Sequence, residues 1–155
     1  SRFWAVLIGI EEYTSYPLRG CVPDVQLMEK YLTEDLGMPS NCIQCLVGSK
    51  EHLSPEDPTY PSHAHIVGAL LSLITNPEIL YGDNIIIYYS GHGLCQHGMG
   101  EDDELECIET LCPINCDTWG EDGKNVPDLS DREFNAILSL ISQAKGFCIT
   151  IILDC

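Results

Sequence analysis

The sequence predicts an α/β fold built on a mainly parallel sheet with helices on both faces. Two observations carry this: four short apolar runs read as buried strands, and stretches with apolar residues at helical spacing alternate with them. In such sheets reactive groups gather beyond the carboxyl ends of the strands, so the residues just after each apolar run are the first place to look for chemistry.

Residues 3–10, Phe-Trp-Ala-Val-Leu-Ile-Gly-Ile, form the first run, and polar residues after them open a loop. A helix is expected over 25–36, where Val25, Met28, Leu32 and Leu36 recur at helical spacing, Pro23 suits the entry and Gly37 the exit. Residues 42–47 read as a second strand, and three prolines make 49–61 a surface loop. Ile66, Ala69, Leu70, Leu73 and Ile74 share one face of a second helix, which Asn76 and Pro77 end. Gly82 and Asp83 turn the chain into a third strand over 84–89, and that strand runs into Ser90, Gly91, His92 and Gly93. Residues 94–129, rich in Gly, Asp, Glu and Cys, read as one long acidic loop in which only 108–111 looks strand-like. Ser130 is placed to cap a third helix, with Glu133 at the capping-box position and Phe134, Ile137, Leu138 and Ile141 on the buried face. Residues 149–153 are the last strand, and no repeat or low-complexity tract interrupts the chain.

With 155 residues and 45% hydrophobic content the chain suffices for one core. Its apolar runs fall short of the roughly 20 residues a spanning helix needs, so no transmembrane segment is expected, nor is a secretory signal visible at residue 1. A formal net charge of −17 argues against nucleic acid and anionic membranes as partners and favours cationic ones. Nine cysteines, an odd number placed within apolar runs, are expected to be reduced thiols in a cytoplasmic protein.

Two chemical groups stand just past strands: His92, and the pair Asp154 and Cys155. An ordinary thiol, with a pKa of about 8.5, is only a few per cent thiolate at neutral pH, and a nearby imidazole remedies that. Gly91 and Gly93 leave room for a sharp turn and for a substrate to approach the ring, though they suit a plain surface turn equally well.

Residues 88–93, Tyr-Tyr-Ser-Gly-His-Gly, resemble the histidine motif of metacaspases, and 151–155, Ile-Ile-Leu-Asp-Cys, resemble the strand that delivers their cysteine. Residues 18–25, Leu-Arg-Gly-Cys-Val-Pro-Asp-Val, are similar to a third block of that family, and 108–113 and 126–128 are similar to caspase-domain proteins of fungi. The resemblance implies a caspase-like three-layer sandwich over 1–155 and a cysteine endopeptidase acting in proteolysis and programmed cell death. It implies His92 and Gly93 as catalytic, the latter through its backbone N–H at the oxyanion. The family pattern runs Asp, then Ser or Cys, then the nucleophilic Cys. Cys155 therefore aligns just before the nucleophile, while a spacing shorter by one residue makes Cys155 the nucleophile itself. On either alignment the domain is expected to be incomplete at its C-terminus, inactive by itself, and partnered by the C-terminal remainder of the caspase domain.

The same resemblance implies that Asp24 and Asp154 line the pocket that selects Arg or Lys before the cleaved bond, with Cys21 at its border. On its own Asp24 also reads as a first-turn residue that complements the helix dipole. Arg19 is the rival: pointing inward, it would favour an acidic substrate instead.

No organic cofactor is implied. Many metacaspases require calcium, which takes six to eight oxygen ligands, and Glu101, Asp102, Asp103, Glu104, Glu106 and Asp117 offer oxygens. Glu109 and Asp131 match the family's calcium positions, but Glu109 replaces an aspartate and Ser130 stands where a second aspartate is expected, so a solvated acidic loop is the plainer reading. Zinc at Cys42 and Cys45 is disfavoured because strand residues three apart face opposite ways, and His63 and His65 suit a helix start. Two other functions compete with the peptidase: a catalytically inactive caspase-like scaffold, and a nucleotide binder, against which no Gly-x-Gly-x-x-Gly or Walker-type loop follows residues 3–10.

Overall fold

The computed structural model describes residues 2–51, 54–99, 105–116, 118–120 and 123–155. The elements in chain order are β1 (Phe3–Ile10), α1 (Cys21–Lys30), β2 (Ile43–Gly48), α2 (His63–Thr75), β3 (Asn84–Ser90), β4 (Gly93–Met99), β5 (Leu105–Leu111), β6 (Leu129–Ser130), α3 (Asp131–Lys145) and β7 (Ile149–Asp154). Four of the strands form one parallel sheet in the order β2-β1-β3-β7.

The unbroken apolar character of β1 follows from burial on both faces. Trp4, Val6, Ile8 and Ile10 point into a core shared with Ile66, Leu70 and Leu73 of α2 and with Ile137 and Ile141 of α3. Ala5 and Leu7 point the other way, onto Val25 of α1, Leu32, and Tyr88 of β3. The sheet is thus the middle layer, with α1 on one side and α2 and α3 on the other. Each aliphatic side chain buried this way contributes about 1.5–3 kcal/mol.

Helix α1 starts four residues earlier than its apolar spacing suggests. Gly20, at φ 102°, takes the left-handed turn that admits the chain, and the helix passes into a π-helical turn at Tyr31–Asp35 before Gly37, at φ 67°, ends it. Ser62 and Ser130 cap α2 and α3 by accepting the N–H groups of His65 and Glu133. The Glu133 carboxylate does not return to its own cap; it meets His63 Nε2 at 3.3 Å and links the two helices. Lys145, buried at the end of α3, donates to the Asn76 and Ile79 carbonyls just past α2, at 2.8 and 2.9 Å.

Residues 94–129 are not one long loop. β4 and β5 pair as an antiparallel hairpin and β6 extends it to three strands. The pairing is carried by backbone hydrogen bonds while Leu94, Cys95, Cys107 and Glu109 lie exposed, so no apolar alternation marks it in the sequence. The expectation of thiols that are all reduced also needs correction, because Cys95 and Cys107 form a disulfide across this hairpin. Among the described residues no helix is long and apolar enough to cross a membrane.

Candidate active site

β3 and β7 end on the same rim, side by side. Ser90 is the register partner of Asp154, and the Gly91 N–H donates to the Asp154 carbonyl at 3.3 Å. This brings His92, Gly93, Asp154 and Cys155 to one cleft of about 310 Å³, which Cys21 and Asp24 from the start of α1 close on the far side.

The His92 ring is held from the loop between β1 and α1. Its Nε2 lies 2.6 Å from the Tyr16 carbonyl oxygen, and since a carbonyl only accepts, the neutral ring carries its proton on Nε2 and keeps the Nδ1 lone pair. The Tyr13 ring packs against the imidazole with centroids 4.5 Å apart and planes at 51°. The His92 N–H donates to the Tyr13 hydroxyl at 3.0 Å, and its carbonyl accepts from the Tyr89 hydroxyl at 2.7 Å and the Cys112 N–H at 2.9 Å.

The glycines beside His92 supply room rather than an unusual turn, for neither has a left-handed φ. A Cβ on Gly91 would stand 2.6 Å from the Tyr13 hydroxyl and 2.7 Å from that of Tyr89. A Cβ on Gly93 would meet the Cys155 Sγ at 3.0 Å, so the exposed Cys155 thiol packs directly against Gly93.

The opposite wall is acidic. The Tyr88 hydroxyl donates to an Asp154 carboxylate oxygen at 3.4 Å, and Asp24 and Asp154 also border a second groove of about 320 Å³ with Leu27, Met28 and Tyr31. Asp24 is half-buried and Asp154 exposed. Arg19 is exposed and lines the main cleft as well, so the cleft holds two carboxylates and one guanidinium. Burial pushes the Cys21 thiol up, and Glu11, Asp24 and Asp154 push it further against a hydrogen bond with Ser90. Cys21 thus carries less thiolate than an ordinary cysteine and lines the cleft as part of its wall.

Glu109 and Asp131 line a separate, mostly apolar cleft of about 320 Å³ that reaches Gly93 and Cys155. Two carboxylates fall short of a calcium shell, and among the described residues no three His, Cys, Asp or Glu side chains are grouped to hold an ion. Residues 101–104 and Asp117 lie outside the described residues, as does the side chain of Glu106.

Sequence reasoning missed Glu11, Tyr13, Tyr16 and the roles of Tyr88 and Tyr89. The one available signal was the pair of tyrosines closing an apolar strand, since a buried phenol needs a hydrogen-bond partner.

Comparison with known proteins agrees with this architecture. The family model for the metacaspase, peptidase C14 domain matches residues 4–155. Metacaspase-4 of Arabidopsis thaliana is 35% identical over 130 residues, covering 83% of this chain and 29% of that protein. Metacaspase-3 of the same plant is 30% identical over 144 residues, covering 91% of this chain and 36% of that protein. Metacaspase-1A of Aspergillus oryzae is 29% identical over 112 residues, 72% of this chain and 25% of that protein. A crystal structure of a Geobacter sulfurreducens protein shares the fold with a TM-score of 0.64 at 17% identity, over 99% of this chain and 49% of its own. The chain thus spans about a third of the length of the curated relatives it matches. With its sheet order, its paired strand ends and a family match running from Trp4 to the last residue, the chain belongs to the metacaspase family, peptidase C14.

Proposed function

We propose that this chain carries the histidine side and the basic-residue pocket of a cysteine endopeptidase that cleaves peptide bonds after Arg or Lys. The observation that supports this most is the sharing of one cleft by His92, Cys155, Asp24 and Asp154, at the carboxyl ends of two adjacent parallel strands.

The nucleophile is Cys155 or, on the family spacing, the residue after it. The His92 Nδ1 lone pair takes the thiol proton, and the thiolate attacks the carbonyl carbon. The backbone N–H groups of Gly93 and of the nucleophile receive the oxyanion. As the C–N bond breaks, the imidazolium returns that proton to the leaving amine, and water then hydrolyses the thioester with His92 as base. Asp24 and Asp154 bind the cation of the residue before the bond, and their two negative charges outweigh the single guanidinium of Arg19. No step is routed through a metal ion or an organic cofactor.

The partners of this reading are protein or peptide substrates with basic residues, and the remainder of the caspase domain. Support for the second is that β7 pairs with β3 alone among the described strands and leaves Ile151, Ile152 and Leu153 exposed. The proposed setting is proteolysis in programmed cell death in the cytoplasm, where the reducing poise opens the Cys95–Cys107 bond.

The test is cleavage of Arg-, Lys- and Asp-ending fluorogenic peptides by the full-length protein. Arg and Lys peptides are expected to be cut, His92→Ala to abolish cutting, and Asp24→Asn with Asp154→Asn to raise KM for basic peptides. Cleavage of the Asp peptide alone would reverse the pocket assignment in favour of Arg19, and no cleavage of any peptide would favour an inactive scaffold.

A further inference from the structure

We infer that Tyr13 and Tyr89 are positioning residues that pin the backbone of His92 from both sides and so fix its ring; this rests on the reading of His92 as the proton-transfer group. The proton count of the cluster closes. One phenolic proton, that of Tyr89, goes to the His92 carbonyl at 2.7 Å, and the other, that of Tyr13, goes to the Cys112 carbonyl at 3.0 Å. The Tyr13 oxygen is then left to accept the His92 N–H at 3.0 Å. The two hydroxyls stand 3.2 Å apart, and with both protons directed to carbonyls they meet as neighbours in one cluster rather than as donor and acceptor. Both peptide groups that flank the His92 Cα are thereby hydrogen-bonded, and the ring they carry is gripped on its face by Tyr13 and at Nε2 by Tyr16.

Three of these contacts come from a single short loop between β1 and α1, itself folded by bonds from the Tyr13 and Leu18 N–H groups to the Glu11 carbonyl. Gly91 is part of the same device, because any Cβ there would occupy the space the two phenols use. Burial pushes both phenols up, so they stay protonated at any working pH and act by holding position rather than by moving protons. Such holding matters because a misplacement of about 1 Å in a reacting group costs on the order of 100-fold in rate.

The test is made on the full-length protein with Tyr13→Phe and Tyr89→Phe, which keep the rings and remove the hydroxyls. The expected result is a fall in kcat on an Arg-ending peptide of roughly 10- to 100-fold, with KM unchanged within about twofold and the acid limb of the kcat pH profile displaced. Folded variants with the parent kcat and pH profile, beside an inactive His92→Ala, overturn this inference and leave the peptidase reading standing. A fully active His92→Ala overturns the reading of His92 as the proton-transfer group and takes this inference with it. Hydrogen exchange on the unsubstituted protein gives a second check: the His92 amide is expected to be protected, and exchange at the unprotected rate overturns the inference even where the variants do not fold.

Discussion

The carboxylate of Glu11 accepts the backbone N–H of Gly20 at 2.7 Å and that of Val22 at 3.2 Å, so a residue just past β1 caps the helix whose first turn carries Cys21 and Asp24. Gly20 has no side chain with which to cap, and the negative charge faces the positive end of the helix dipole. Glu11→Ala is expected to lower stability by about 1–2 kcal/mol in urea unfolding, while Glu11→Gln, which keeps an acceptor, should lose about half of that or less. Equal losses in the two variants would count against capping.

Asp83 gives the fold a pH dependence of defined sign. Burial works against its charge, but the Leu80 and Arg2 N–H groups at 3.0 and 3.1 Å, the Trp4 indole at 3.2 Å and the Arg2 guanidinium outweigh burial and hold the carboxyl below its usual range. A depressed folded-state pKa stabilises fully above the unfolded value of about 4 and is lost as pH falls through the folded value. Melting temperatures of the parent and Asp83→Asn measured from neutral pH down to pH 2 should therefore differ most near neutrality and converge in acid. A gap that stays constant across the range would show that the charge is irrelevant.

Lys145 illustrates a charge buried for structural reasons. Its ammonium group serves two carbonyls past the end of α2, Asn76 and Ile79, and fastens α3 beside that helix. Lys145→Met fills similar space and leaves both oxygens without this donor, so a loss of about 1–3 kcal/mol in unfolding free energy is expected. A neutral outcome would mean that water replaces the amine, and hydrogen exchange of the α2 end would then be unchanged.

The central layers were legible because they obey one rule at a time. Phe3–Ile10 is apolar at every position since both faces are covered, and Ser130 with Glu133 marks the start of α3 by cap chemistry alone. The hairpin of β4 and β5 was illegible because Leu94, Cys95, Cys107 and Glu109 are all exposed and show no apolar alternation, so that its pairing rests on backbone hydrogen bonds and the Cys95–Cys107 bond. At the site, the strand ends announced His92 and Asp154, whereas Tyr13 and Tyr16 reach the ring across 79 and 76 residues of sequence, a proximity that no local pattern encodes. The Gly91 and Gly93 pattern was visible, but its cause, the space taken by two phenols and a thiol, required the packed structure.

Six of the nine cysteines divide into exposed, silenced and bonded pairs, and alkylation can read all three. Cys148 and Cys155 are exposed, whereas burial, helped by Glu29, pushes the Cys45 thiol up to about 12, and burial also raises Cys21. Since the thiolate is the reacting species, iodoacetamide at pH 8 should label Cys148 and Cys155 within minutes and leave Cys21 and Cys45 unlabelled until the chain is denatured. Cys95 and Cys107 should join the labelled set only after reduction, read by peptide mass spectrometry. Labelling of Cys45 as fast as Cys148 would contradict its burial. Labelling of Cys95 in the folded protein without reductant would show that the hairpin stands without its bond, so that reduction leaves the neighbourhood of Gly93 as it is.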